Sequence, residues 1–147
     1  MSKKVSKYAQ IYEHEWNGNI GRILKSQGPM AAVFYVYIFS NPHRNLSGLY
    51  RLPPAYVEAD IGILKDDFRS LIESFTALNL VDYDWESDEI FVIDFLVTQV
   101  VGLNGKGDKR WIAVESDLTK ASSEYLRKKF WSTYKKPVSP NEITDWK

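Results

Sequence analysis

Few side chains in this sequence have the types and spacing that catalysis or metal binding requires. His14 and His43 are the only histidines, and there is no cysteine to act as a nucleophile or a thiolate ligand. Neither histidine stands at metal-ligand spacing from further ligands, apart from the glutamates beside His14. The Gly-rich stretch GLNGKGDK lacks the order of a phosphate-binding loop. We therefore expect no enzyme activity, no metal and no cofactor, and we interpret His43 as a loop residue that hydrogen-bonds the backbone.

A basic and aromatic segment near the C-terminus, YLRKKFWSTYKK, is the best candidate for contact with nucleic acid. Cationic side chains neutralise phosphates, and aromatic rings stack on bases. The cations of this segment are Arg127, Lys128, Lys129, Lys135 and Lys136. The simpler alternative is that Leu126, Phe130 and Trp131 dock a helix on the core while its lysines meet water.

Charge is distributed unevenly along the chain, although the net charge is zero. Residues 1–53 carry seven basic and two acidic side chains, residues 54–100 carry two and eleven, and residues 101–147 carry ten and six. Phosphate should therefore be repelled by the middle of the chain and attracted by its two ends. The longest apolar run, Met30 to Phe39, is too short to cross a bilayer, so we expect a cytoplasmic protein without membrane contact.

The elements that must position these side chains are indicated by turn signals and apolar periodicity. Alternation from Tyr8 to Trp16 predicts a short strand, and NIGRILKSQG predicts a helix that ends at Gly28. The segment PMAAVFYVYIFS opens with a proline and predicts a helix at the centre of the core. A short strand, two helices joined at Gly62 and an aromatic hairpin follow. Residues after 100 predict a Gly-rich link and one or two helices.

This order predicts a winged helix-turn-helix. The segment SNPHRNLSGLYRLPPAYVEADIGI also resembles part of the winged-helix domains of phage replisome organisers and replication-initiation proteins, which are DnaD-like in style. The family pattern is similar to (T/S)NPHxNxxGxYRLP, followed by NFLxxQ, for which this chain offers Asp94, Phe95, Leu96 and Gln99. The resemblance implies a role in phage or prophage DNA replication, with replication proteins as partners. Within the first motif we interpret the following as architecture: Asn41, Pro42, Gly48, Tyr50 and Pro53.

The expected fold class is α+β, a winged helix-turn-helix with an extra N-terminal strand or helix and C-terminal helices. The expected organisation is a winged-helix domain over residues 1–101, a linker and basic helical extension over 102–136, and a tail over 137–147. The apolar helix and aromatic strands also suggest a homo-oligomer.

Two functional interpretations remain open. The predicted recognition helix carries Lys65 and Arg69 but has a net charge of −1, and the wing adds five acidic residues. We therefore expect any DNA binding to be weak, sequence-tolerant and salt-sensitive, and to depend on the C-terminal lysines more than on Lys65 or Arg69. The alternative is a winged-helix protein-interaction or oligomerisation module that does not bind DNA.

Overall fold

A computed structural model describes residues 7–100 and 108–134. In this part of the chain the fold is mixed α and β, with seven α-helices and one antiparallel sheet. The helices are α1 (Asn19–Gln27), α2 (Pro29–Ser40), α3 (Pro54–Ile61), α4 (Lys65–Ala77), α5 (Phe95–Gln99), α6 (Arg110–Thr119) and α7 (Glu124–Tyr134). The strands are β1 (Leu49–Arg51), β2 (Val81–Asp84) and β3 (Glu89–Val92), in the spatial order β1-β3-β2.

The N-terminal segment does not form the predicted strand. A 3-10 turn, Glu13–Trp16, precedes α1, and the alternating aromatic side chains do not form a common buried face, since Tyr8 is 76% and Trp16 59% exposed. The side-chain amide of Gln99 takes the place of a neighbouring strand. It donates to the carbonyl of Gln10 and accepts from its amide, both at 2.8 Å. The prediction was wrong because this pairing comes from a side chain 89 residues away.

Helix α2 lies at the centre of the core, which confirms the helix predicted there. Pro29 occupies its first turn, where a missing N–H costs nothing. Phe34 and Ile38 are fully buried, and the ring of Phe34 packs edge-on against Phe68 and at a tilt against Phe75, both of α4. Because α2 is in contact with several elements at once, it acts as the scaffold for the helices around it.

Helices α3 and α4 form the predicted pair across a tight turn. Gly62 ends α3 with a left-handed φ of 74°. Asn79 follows α4 with φ 58°, and the amide of Leu80 donates back to the carbonyl of Phe75, so the helix closes in a Schellman motif. The hairpin of β2 and β3 begins directly afterwards.

The sheet separates two apolar clusters. One cluster joins α1–α4 to the sheet face that carries Val81, Ile90 and Val92. The other joins Leu49 and Phe91, on the opposite face, to α5, α6 and α7. The C-terminal segment therefore contributes two helices to the core. Residues 101–107, which include most of the predicted Gly-rich link, and the predicted tail over 137–147 lie outside the described residues. No helix in the described ranges is long and apolar enough to cross a bilayer.

Candidate nucleic-acid interface

The loop motif after α2 closes the end of that helix. The carbonyl of Ile38 would normally accept from the amide four residues later, but that residue is Pro42, which has no N–H. The hydroxyl of Tyr50 donates to this carbonyl instead, at 2.6 Å, and accepts from the Asn41 amide group at 2.7 Å. A strand residue thus caps α2, and the motif joins the scaffold helix to β1.

The glycine of the motif allows α5 to pack closely against the loop. Gly48 has φ 79°, and a Cβ placed on it would lie 2.4 Å from the Cβ of Phe95. Asn45 holds the turn, because its side-chain oxygen accepts from the amides of Ser47 and Gly48. The first motif and the phrase around Phe95 are therefore in direct contact. Pro53 stands at the N-cap of α3.

The ring of His43 bonds a carboxylate, so the prediction that it bonds the backbone was wrong. Its Nε2 lies 2.8 Å from Oδ2 of Asp60, which also accepts from the Tyr37 hydroxyl at 2.7 Å. The Tyr37 hydrogen bond, followed by His43, lowers the pKa of Asp60 below its usual value. The His43 ring packs at a tilt of 32° against the Tyr56 ring, with centroids 4.5 Å apart. Through its contacts with Asp60 and Tyr56, His43 joins the loop to α3.

Three acids of the hairpin, Asp82, Asp84 and Glu89, face α7. Glu89 accepts from the amides of Ser122 and Ser123 at 2.9 and 2.8 Å, so its carboxylate meets the positive end of α7. Ser123 also caps α7 by accepting from the amide of Leu126 at 3.0 Å. Glu89 is 5% exposed and is fully engaged in holding this helix.

Two further carboxylates of the hairpin also contact α7. Asp82 accepts from the Tyr125 hydroxyl at 2.5 Å and pairs with the Lys129 ammonium at 3.1 Å. Asp84 accepts from the Ser123 hydroxyl at 2.6 Å, and this bond lowers the pKa of Asp84. Strand alternation was the signal that could have revealed this, since it places Asp82 and Asp84 opposite the core-facing Tyr83.

Three of the five hairpin acids, Asp82, Asp84 and Glu89, lie against α7, where Asp82 pairs with Lys129 and the other two accept hydrogen bonds. The expectation that all five repel phosphate was therefore wrong. The acids that remain near the opposite face are Glu86 and Asp88, at the tip of the hairpin. Asp66 and Asp67 remain exposed in the first turn of α4 and oppose an anion there.

The junction of α4 and the hairpin carries an arginine stacked on a tryptophan. The guanidinium carbon of Arg69 lies 4.1 Å from the centroid of the Trp85 ring. Among the described residues, no hydrogen bond or ion pair to Arg69 is observed. Stacking fixes the plane of the guanidinium and leaves its N–H groups available for hydrogen bonding at the edge.

A second arginine stands at the end of β1, the strand that pairs with β3 of the hairpin. Arg51, at the end of β1, donates to the Tyr56 hydroxyl at 3.3 Å and is exposed. Burial and then the Asp88 carboxylate raise the pKa of Tyr83, and the positive charges of Arg51 and Arg69 both oppose the rise. Arg51 was missed because its neighbours in sequence are architectural residues.

The C-terminal cations are less free than the sequence suggested. Lys129 pairs with Asp82, Arg127 donates to the carbonyl of Ala121, and Lys128 makes an exposed pair with Glu124 at 3.2 Å. Leu126 and Phe130 are fully buried, as the alternative of a docked helix requires. The two remaining candidate cations, Lys135 and Lys136, lie outside the described residues.

Lys65 is exposed at the start of α4 beside two aspartates. In the described ranges, no three His, Asp or Glu side chains come together as a metal-binding group. The chain gives no significant match to any protein-family model, curated protein or solved structure.

Proposed function

We propose that this protein is a winged helix-turn-helix domain that binds DNA, of the type that acts in phage DNA replication initiation. Support comes from the order of elements: scaffold helix α2, β1, the α3–α4 pair, then a hairpin whose second strand pairs with β1. The loop motif that resembles the replication-initiation family lies at the junction of α2 and β1, where it joins these two elements.

The observation that carries the proposal is the pair of arginines beside the hairpin. Arg69 of α4 stacks on Trp85 of the hairpin, and Arg51 ends β1, which pairs with β3 of the same hairpin. A duplex that meets α4 and the wing together would present phosphates to both guanidinium groups. Asp66 and Asp67 keep this binding weak, and binding that rests on phosphates is sensitive to salt.

The experiment is fluorescence anisotropy with a labelled duplex at low salt. The test variant carries Arg51→Gln and Arg69→Gln. The matched control carries Arg22→Gln and Lys109→Gln, which remove two exposed charges from α1 and the start of α6. We expect the test variant to bind about tenfold more weakly, which corresponds to about 1.4 kcal/mol, and the control to bind like the native protein. Equal affinity of the two variants would contradict the proposal.

A second candidate function is a protein-interaction module that does not bind DNA. An uncharged groove of about 470 Å³ beside α2, lined by Leu24, Val33 and Val36 among others, favours it. Absence of any DNA binding by the native protein at low salt would leave this candidate as the better account. Circular dichroism of the same sample establishes that the protein is folded.

A further inference from the structure

Two aromatic neighbours hold the ring of Trp85, the residue that follows β2. The ring of Phe68 lies edge-on to it with centroids 5.9 Å apart, and the ring of Tyr83 lies at a tilt with centroids 4.3 Å apart. Phe68 is fully buried, and the Tyr83 hydroxyl donates to the carbonyl of Leu52 at 2.8 Å. Because both neighbours are themselves held by the core, Trp85 forms a fixed aromatic surface at the junction of α4 and the hairpin.

Arg69 stacks on this surface although two carboxylates stand at ion-pair spacing from it. Asp66 lies three positions before Arg69 on α4, and Glu73 lies four positions after it. Side chains at these spacings are neighbours on a helix and commonly form ion pairs. In the described ranges neither acid pairs with Arg69, whose guanidinium carbon lies 4.1 Å from the centroid of the Trp85 ring. The tryptophan therefore keeps the cation away from the acids of its own helix.

We propose that Trp85 is a positioning residue for DNA binding, which holds the Arg69 guanidinium in the orientation that binds a phosphate of the duplex. This inference rests on the proposed function, since it concerns how the same site binds DNA. A stacked guanidinium presents its N–H groups in a fixed plane, so less side-chain entropy is lost when a phosphate binds. Without the ring, an ion pair with Asp66 or Glu73 can form instead and occupy these N–H groups.

A double-mutant cycle measured by fluorescence anisotropy tests whether Trp85 acts through Arg69. Four proteins are titrated with the same labelled duplex: the native chain, Trp85→Leu, Arg69→Gln and the double variant. We expect Trp85→Leu to weaken binding about two- to fivefold in the native chain, which matches the strength of an exposed cation–π contact. In the Arg69→Gln background it should change affinity by less than about 1.5-fold. Equal weakening in the two backgrounds would overturn the proposal, because a general effect on the fold or a direct contact of the ring with DNA does not depend on Arg69.

Conservative variants and a matched control keep the test informative where Trp85→Leu fails to fold. Trp85→Phe retains an aromatic face and should bind within about twofold of the native protein. Arg69→Lys retains the charge but loses the planar group, so it should bind more weakly than the native protein. The control is Trp16→Leu, the same change at a side chain that is 59% exposed before α1, and it should leave affinity unchanged. Trp85→Phe with the affinity of Arg69→Gln would overturn the proposal, once circular dichroism shows that both variants are folded.

The salt dependence of Arg69→Gln separates this inference from the proposed function. Loss of one phosphate contact should lower the magnitude of the slope of log K against log salt by about 0.9. A native protein that does not bind the duplex, or an Arg69→Gln slope equal to the native slope, contradicts the proposed function and this inference with it. A lowered Arg69→Gln slope combined with native affinity of Trp85→Leu overturns this inference alone.

Discussion

Tyr50→Phe tests whether the loop motif closes the scaffold helix as described. The substitution removes one oxygen and keeps the ring, which is 3% exposed. The carbonyl of Ile38 then has no hydrogen-bond donor, because Pro42 has no N–H that could replace the Tyr50 hydroxyl. The Asn41 amide group loses one of two bonds and keeps its donation to the carbonyl of Tyr37 at 3.0 Å.

The magnitude follows from these two losses. One orphaned buried carbonyl costs about 1–3 kcal/mol, and a partly satisfied amide adds less. We therefore expect Tyr50→Phe to lower the free energy of unfolding by about 2 kcal/mol. Tyr50→Ala also removes the buried ring and should lower it by about 3–5 kcal/mol. Urea unfolding followed by circular dichroism measures both values.

The control for the hydroxyl is Tyr8→Phe, at a side chain that is 76% exposed. Its free energy of unfolding should stay within about 0.5 kcal/mol of the native value. If Tyr50→Phe is no less stable than Tyr8→Phe, the hydroxyl does not cap α2 and the role assigned to the motif is wrong.

Two further substitutions test other contacts of the fold. Gly48→Ala places a Cβ 2.4 Å from the Cβ of Phe95 and should lower the free energy of unfolding by about 2–4 kcal/mol in urea titration. The Cβ of the control, Gly62→Ala, meets nothing within 4 Å, so its free energy of unfolding should fall by only about 1–2 kcal/mol. Equal losses would contradict close packing of α5 on the loop. Asp84→Asn should be less stable than the native protein at pH 7, because the Ser123 hydrogen bond lowers the pKa of Asp84 below 3.8 in the folded protein. A lowered pKa stabilises the fold above pH 3.8, and this stabilisation is lost as the pH falls through the pKa of the folded state. Thermal melts from pH 7 to pH 2 should therefore show the two proteins converging, and a constant difference would contradict the Asp84–Ser123 contact.

Local signals in the sequence predicted most of the elements. Pro29 at a helix start, Gly62 at a turn and Asn79 beyond a helix end each act through backbone geometry, which depends on the residue itself. The failed prediction, a strand over residues 8–16, depended on a partner. Gln99 supplies that partner from a distant helix, and alternation in one segment cannot reveal it.

The candidate site was predicted only in part, for the same reason. Arg69 was identified from its place on a helix, but its stacking on Trp85 joins two elements 16 positions apart. The orientation of the hairpin acids Asp82 and Asp84 depends on contacts with Ser123 and Tyr125, which follow them by about forty residues. Charge counted along the chain therefore overestimated the repulsion, because it could not tell which carboxylates already have partners.

The dependence of DNA affinity on salt tests the central claim most directly. The slope of log K against log salt measures how many phosphates the protein neutralises, at about 0.9 for each contact with duplex DNA. Two variants are compared with the native protein: Arg51→Gln with Arg69→Gln, and a triple alanine variant at Lys128, Lys135 and Lys136. We predict that the arginine variant lowers the magnitude of the slope by about 1.8 and that the lysine variant leaves it unchanged. A slope that falls for the lysine variant and stays native for the arginine variant would place the DNA on the C-terminal segment and contradict the account.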